Sequence, residues 1–252
     1  MEEKIIKVGG LNINLKTKGE GKPLLILHGW GSSSDKWQKT GELISEKGYK
    51  VIIPDLPGFG KSEEPKTPWN LDKYCGFVEE LSQSLNLEKF CLLGHSFGGS
   101  LSIKYSLKNP GNVERLFLVA SAGIREKSFR NRFLAKISSV LKVFAFAPFY
   151  DLFKKAFYKF VVKKSDYLYT RGVMRETYLN VIKEDLSGAL SSISMPVIII
   201  WGENDNVVPL KNAYLMKERI NNSKLVIVPE GDHDLEQKLP SLLTFQILSN
   251  MK

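Results

Sequence analysis

Six short runs rich in Val, Ile and Leu recur along the chain, at residues 24–27, 51–53, 90–93, 116–119, 197–200 and 225–228. A strand with one wet face alternates apolar and polar residues. A run that is apolar at nearly every position belongs to a strand covered on both faces, as in a parallel sheet. Between most of these runs lie stretches of helix length, such as 36–46, 72–85, 100–108 and 212–221. Strand and helix in alternation predict a doubly wound α/β sheet. Ahead of them, residues 5–8 and 11–16 alternate apolar with polar around Gly9-Gly10, the pattern of a hairpin of half-buried strands. The expected fold class is therefore α/β, with a mostly parallel sheet of eight strands.

The alternation breaks once. Residues 124–193 hold no convincing strand but several helical runs, including 130–143 and 152–164, and 13 of the 27 aromatic residues. A structureless loop of that length is improbable in a compact domain, so the segment reads as a helical cap inserted after the sixth strand. The core domain then comprises residues 1–123 and 194–252. Charge is uneven in the same way. The net charge is +9, and residues 123–190 alone carry 14 Lys and Arg against 6 Asp and Glu.

At 43% hydrophobic and 25% charged, the composition of these 252 residues is that of a soluble globular protein. The first residues contain no apolar stretch of signal-peptide length. The most apolar central stretch, 143–150, is interrupted by Pro148 and falls short of the roughly 20 residues that a spanning helix needs. The two cysteines, Cys75 and Cys91, have no metal-type spacing and make no disulfide framework, which points to the cytoplasm. No nucleic-acid-binding module is recognisable, so positive charge alone does not argue for that partner.

Chemistry is carried first by Gly94-His95-Ser96-Phe97-Gly98, a G-x-S-x-G that follows an apolar run and precedes a helical one. That context puts a serine on a sharp strand-to-helix turn with its hydroxyl above the sheet. The N–H of Phe97 then lies at a helix N-terminus, where it can stabilise an oxyanion. A serine hydroxyl needs a base, and the chain has three histidines, His28, His95 and His233. The acid that orients the base is open on chemistry alone among Glu203, Asp205, Asp232 and Asp234.

Four motifs in order, His28-Gly29-Trp30-Gly31, the D-x-x-G-x-G-x-S turn of residues 55–62, the Ser96 elbow, and Trp201-Gly202-Glu203-Asn204-Asp205 followed by Gly231-Asp232-His233, resemble the α/β-hydrolase family. The resemblance covers nearly the whole chain. It implies that His233, after the last strand, is the base, and that His28 and His95 serve structure. It implies that Asp205, four residues past Trp201, is the acid, with Glu203 as fallback and Asp55 a structural residue. It also implies a second oxyanion donor in the N–H of Trp30, whose indole either lines the pocket or packs against the cap.

The expected function is a serine hydrolase acting on a carboxylic ester or related small acyl compound, with catalytic Ser96, His233 and Asp205 and oxyanion donors Trp30 and Phe97. No cofactor or metal is implied. Carbon–carbon bond hydrolysis of a dienone-like acid is the alternative, weakened because Asp234 follows His233 where such enzymes usually carry tryptophan. A ligand-binding protein without catalysis is the alternative from another class, opposed by the presence of all three residues. The stripe Phe144, Phe146, Phe149, Phe153, Phe157 and Phe160 reads as an apolar acyl pocket or as the cap's own core. Lys154, Lys155, Lys159, Lys163 and Lys164 read as a solvated face, or as a weak contact with anionic membranes or substrates.

Overall fold

The computed structural model describes residues 1–125 and 171–251. Residues 1–124 and 170–252 form one compact unit. Its eight strands are β1 (Glu2–Val8), β2 (Leu11–Lys18), β3 (Lys22–Leu27), β4 (Tyr49–Pro54), β5 (Phe90–His95), β6 (Val113–Val119), β7 (Val197–Gly202) and β8 (Ser223–Val228). They form a single sheet in the order β1-β2-β4-β3-β5-β6-β7-β8. The β1–β2 and β2–β4 pairs are antiparallel and every later pair is parallel. The doubly wound, mostly parallel α/β sheet expected from the sequence is the one the chain forms.

The apolar runs behave as two-faced strands should. Leu25, Leu27, Leu92, Leu116, Leu118 and Ile199 face one buried cluster, and their neighbours Leu24, Ile26, Cys91, Leu93, Phe117 and Ile198 face another. The period of two along each strand thus supplies both cores. Strand β8 departs from the expectation of burial on both faces. It is one of the two edge strands, and Leu225, Val226 and Ile227 are only half-buried, because among the described residues nothing pairs beyond it.

Helices α1 (Gln38–Ser45), α2 (Leu71–Ser84), α3 (Phe97–Lys108), α4 (Gly172–Val181), α5 (Lys211–Arg219), α6 (Leu235–Lys238) and α7 (Pro240–Leu248) complete the described unit, with 3-10 turns at Ser34–Trp37 and Ser187–Ser192. Helix α2 starts where Asn70 Oδ1 accepts the N–H of Lys73 at 3.0 Å, and it buries Leu71, Tyr74, Cys75, Val78 and Leu81 along one stripe. Of the stretch expected as a cap, residues 171–193 group with the sheet. Thr177 Oγ1 accepts the N–H of Trp69 at 2.9 Å, and Leu186, Leu190 and Ile193 join the larger apolar cluster. The helices expected at 130–143 and 152–164, the Phe stripe and the lysine run lie outside the described residues. Among the described residues no helix is long and apolar enough to cross a membrane, and no group of His, Cys, Asp or Glu is arranged to hold a metal ion.

Candidate active site

The loops that leave the carboxyl ends of β3, β5, β7 and β8 carry Trp30, Ser96, Asp205 and His233. In a doubly wound sheet this edge is where ligands bind. Ser96 joins β5 directly to α3 with φ of 52° and ψ of −116°, a conformation that costs a non-glycine residue about 1–3 kcal/mol. Surrounding bonds hold it there. The N–H of Ser96 donates to Val119 O at 3.1 Å, while Ser96 O accepts from Gly99 N at 2.9 Å and Ala122 N at 2.9 Å. The elbow also needs bare backbone: a Cβ on Gly98 would stand 2.1 Å from Leu27 O, and one on Gly94 would stand 2.3 Å from Gly98 O. Phe97 is the first residue of α3, so its N–H has no partner within the helix.

The loop after β3 lies against this elbow, with Gly29 so close that a Cβ there would meet Ser96 Cβ at 3.2 Å. His28 fixes the loop. Its Nδ1–H donates to Gly29 O at 2.8 Å and its Nε2 accepts the N–H of Leu56 at 2.9 Å. Burial holds its pKa below the ordinary histidine value, consistent with this neutral, bridging role. Among the described residues the N–H of Trp30 has no hydrogen-bond acceptor. The Trp30 indole packs edge-on against Phe59 (centroids 4.8 Å apart), Phe97 (5.3 Å) and Tyr178 (5.1 Å), and its Nε1 is buried without a partner among the described residues.

Asp205 Oδ2 lies 2.9 Å from His233 Nδ1. Its other oxygen accepts the N–H groups of Val207 at 2.8 Å and Val208 at 2.9 Å, so the carboxylate is held from both sides and its side chain is fully buried. Two of the rival acids are engaged elsewhere. Glu203 Oε2 accepts the N–H of Glu230 at 3.2 Å, and Asp232 pairs with Lys238 and accepts the N–H of Asp234 at 3.1 Å. Asp55 is a turn residue: it accepts from Ser34 N at 2.6 Å, Lys61 N at 2.9 Å and Asn14 Nδ2 at 3.0 Å. Burial pushes its pKa up, but these donors outweigh that and hold it below the ordinary carboxylate value.

His233 stands close to the elbow. Its ring centroid is 4.9 Å from that of His95, whose Nε2 donates to His233 O at 3.0 Å. No hydrogen bond joins Ser96 Oγ to His233 among the described residues. In resting sites such bonds are often long and shorten only with substrate bound.

The alpha/beta hydrolase fold model matches residues 22–137 and 170–235. The chain belongs to the alpha/beta hydrolase fold family. It is 30% identical over 236 residues to a pimeloyl-[acyl-carrier protein] methyl ester esterase of Aliivibrio fischeri (strain MJ11), covering 86% of this chain and 89% of that protein. It is 26% identical over 230 residues to Lipase 3 of Moraxella sp. (strain TA144), covering 84% of this chain and 72% of the lipase. Among solved structures, an esterase from Exiguobacterium antarcticum superposes with a TM-score of 0.77 at 25% identity, over 98% of both chains.

Two side chains at this α/β-hydrolase site carry no motif. Tyr178 reaches Trp30 from α4, a contact invisible in sequence because about 150 residues separate them. Glu236 is 1% exposed. Its Oε2 lies 3.9 Å from His95 Nε2 and has no hydrogen-bond partner among the described residues. Its only signal is position: three residues after His233, in the first turn of helix α6, it returns toward the same loop.

Proposed function

We propose that this α/β-hydrolase is a serine hydrolase that cleaves a carboxylic ester or a related acyl compound through an acyl-enzyme. The observation that carries the proposal is the 2.9 Å contact between His233 Nδ1 and the buried Asp205 carboxylate, beside a serine held in a strained elbow. Asp205 keeps the proton of His233 on Nδ1 and leaves Nε2 free as a base. Ser96 Oγ attacks the carbonyl carbon as His233 Nε2 takes its proton. The carbonyl oxygen becomes an oxyanion facing the N–H groups of Trp30 and Phe97. Collapse expels the alcohol, which takes the proton from His233, and water then releases the acid by the same steps in reverse. The similarity to an ester esterase and a lipase supports the ester class.

The rings of Trp30, Phe59, Phe97 and Tyr178 beside the elbow favour an apolar acyl group. A fluorophosphonate probe tests the nucleophile. The wild type is expected to be labelled and Ser96→Ala to be unlabelled; labelling that survives Ser96→Ala overturns the assignment. A panel of p-nitrophenyl esters of increasing acyl length tests the apolar pocket. Rates confined to acetate oppose it.

A further inference from the structure

Behind the proposed base lies a buried pair of titratable groups that the reaction above does not use. His95 is 3% exposed, and its Nε2–H donates to the main-chain carbonyl of His233 at 3.0 Å. A carbonyl only accepts, so the proton must sit on Nε2. The other ring nitrogen, Nδ1, is bare and without a partner among the described residues. Nothing on the Nδ1 side therefore selects this tautomer. On the Nε2 side stands the Glu236 carboxyl, 3.9 Å away, with Oε2 otherwise unpartnered among the described residues, while the carboxyl draws on a long bond from Gln237 Nε2 at 3.4 Å and on its own main-chain N–H. A buried carboxylate with one oxygen lacking a donor is costly, so one placed against an imidazole N–H calls for a role.

We propose that Glu236 is a positioning residue for His233, acting through His95: its carboxylate, 3.9 Å from Nε2, reinforces the His233 carbonyl in keeping the His95 proton on Nε2, and so strengthens the hydrogen bond that sets the main chain of His233 against the elbow. The proposal rests on His233 being the base of the serine reaction. An ionised Glu236 also places a second negative charge, beside that of Asp205, near the imidazolium that His233 becomes when Ser96 attacks. A neutral Glu236 does neither as well.

The surroundings make that ionisation matter near neutral pH. Burial pushes the Glu236 carboxyl up to about 7, opposed by its own main-chain N–H, assisted by Asp234, and opposed further by Lys36 and His233. Burial, together with the nearby His233, drives His95 down to about 3, so it stays neutral. Helix α6, which carries Glu236, packs on α7, α1 and the Ser34–Trp37 turn. Helix α7 has no charged residue. From α1, Glu42 is engaged with the N-terminal ammonium and Lys39 is exposed. The turn contributes Lys36, exposed and therefore screened, and Asp35, which pairs with Lys16. Among the described residues, His95, His233 and Asp234 are the remaining groups that face Glu236.

The test is the pH dependence of the rate at which a fluorophosphonate labels Ser96, compared between wild type and Glu236→Gln. The wild-type rate is expected to rise through an ionisation near 7 that the variant lacks. The variant should be slower by roughly tenfold well above that pH and equal to wild type well below it. Profiles that superimpose, or that differ by one constant factor at every pH, overturn the proposal, since a merely structural loss scales all pH values alike. If Glu236→Gln does not fold, carboxyl-carbon and histidine-nitrogen NMR of the wild type decides. One glutamate must titrate near 7 while the His95 nitrogens move in step; a His95 signal that ignores that titration overturns the proposal. A wild type that takes no label at all counts against the serine reaction rather than against this pair, and the same NMR titration still tests the pair directly.

Discussion

At the scale of single residues, the candidate site depends on which partner holds each acid. Four carboxylates near two strand ends were chemically equivalent in sequence. The structure separates them by their donors, since Asp205 alone combines two main-chain N–H groups with the His233 ring. The family resemblance singled out Asp205, four residues past Trp201, but the reason it sits there, the turn it closes with Val207 and Val208, is a backbone property that a motif does not express. Asp205→Asn tests the role. The amide can keep one oxygen toward Val207 and Val208, but its NH2 then faces the Nδ1–H of His233, donor against donor. The imidazole is driven to the wrong tautomer, and kcat on an ester should fall by about 10³–10⁴-fold while the fold persists. Activity within tenfold of wild type would remove Asp205 from the mechanism. The opposite kind of miss is Glu236: nothing about a Glu in a Lys- and Glu-rich chain announces that it is buried, because burial there follows from α6 and α7 packing onto the apolar cluster on one face of the sheet.

At the scale of elements, the strands were legible and the reason is their burial. Runs such as 116–119 need apolar side chains at every position, because each face meets its own cluster. Strand β8 was legible as a strand but not as an edge, since edge position is decided by whether another strand pairs on its outer side and not by local composition. The joint between β5 and α3 is the element on which the site depends, and two glycines separate its constraints from ordinary helix propensity. Gly98→Ala puts a Cβ 2.1 Å from the Leu27 carbonyl oxygen, where main chain cannot yield as a flexible side chain would. We expect a loss of about 3 kcal/mol by urea unfolding, with probe labelling of Ser96 lost even in the folded fraction. Gly76→Ala, inside α2 with no atom within 4 Å of the new Cβ, should stabilise by about 0.5–1 kcal/mol. If both substitutions shift the urea midpoint in the same direction, the close approach of β3 and α3 is not what limits the elbow.

At the scale of the whole molecule, the buried titratable groups divide the pH axis between them. His95 and His28 are held neutral by burial, below the usual histidine value in both cases and at about 3 for His95. The unfolded chain binds a proton at about 6.5 that folded His95 refuses, so its contribution to stability falls as pH drops from about 6.5 toward 3. Asp55 is held below the ordinary value of 3.8, so its contribution is present above that pH and is lost as pH falls through its lowered value. Glu236 runs the other way. Its folded carboxyl keeps its proton up to about 7 while an unfolded one releases it near 4.5. Stability from this group is therefore full below 4.5, declines between 4.5 and about 7 as the unfolded chain loses its proton first, and is level above that. The difference corresponds to about 3 kcal/mol. Urea midpoints of wild type and Glu236→Gln should accordingly part as pH rises through this window, with the variant the more stable on the alkaline side. Curves that stay parallel from acid to alkaline pH would mean that Glu236 ionises as freely in the fold as out of it. If the variant is both more stable above neutrality and slower to label at Ser96, the carboxylate is retained against a cost in stability. That combination is what a buried group kept for its effect on His233 requires, and a residue kept only for packing does not produce it.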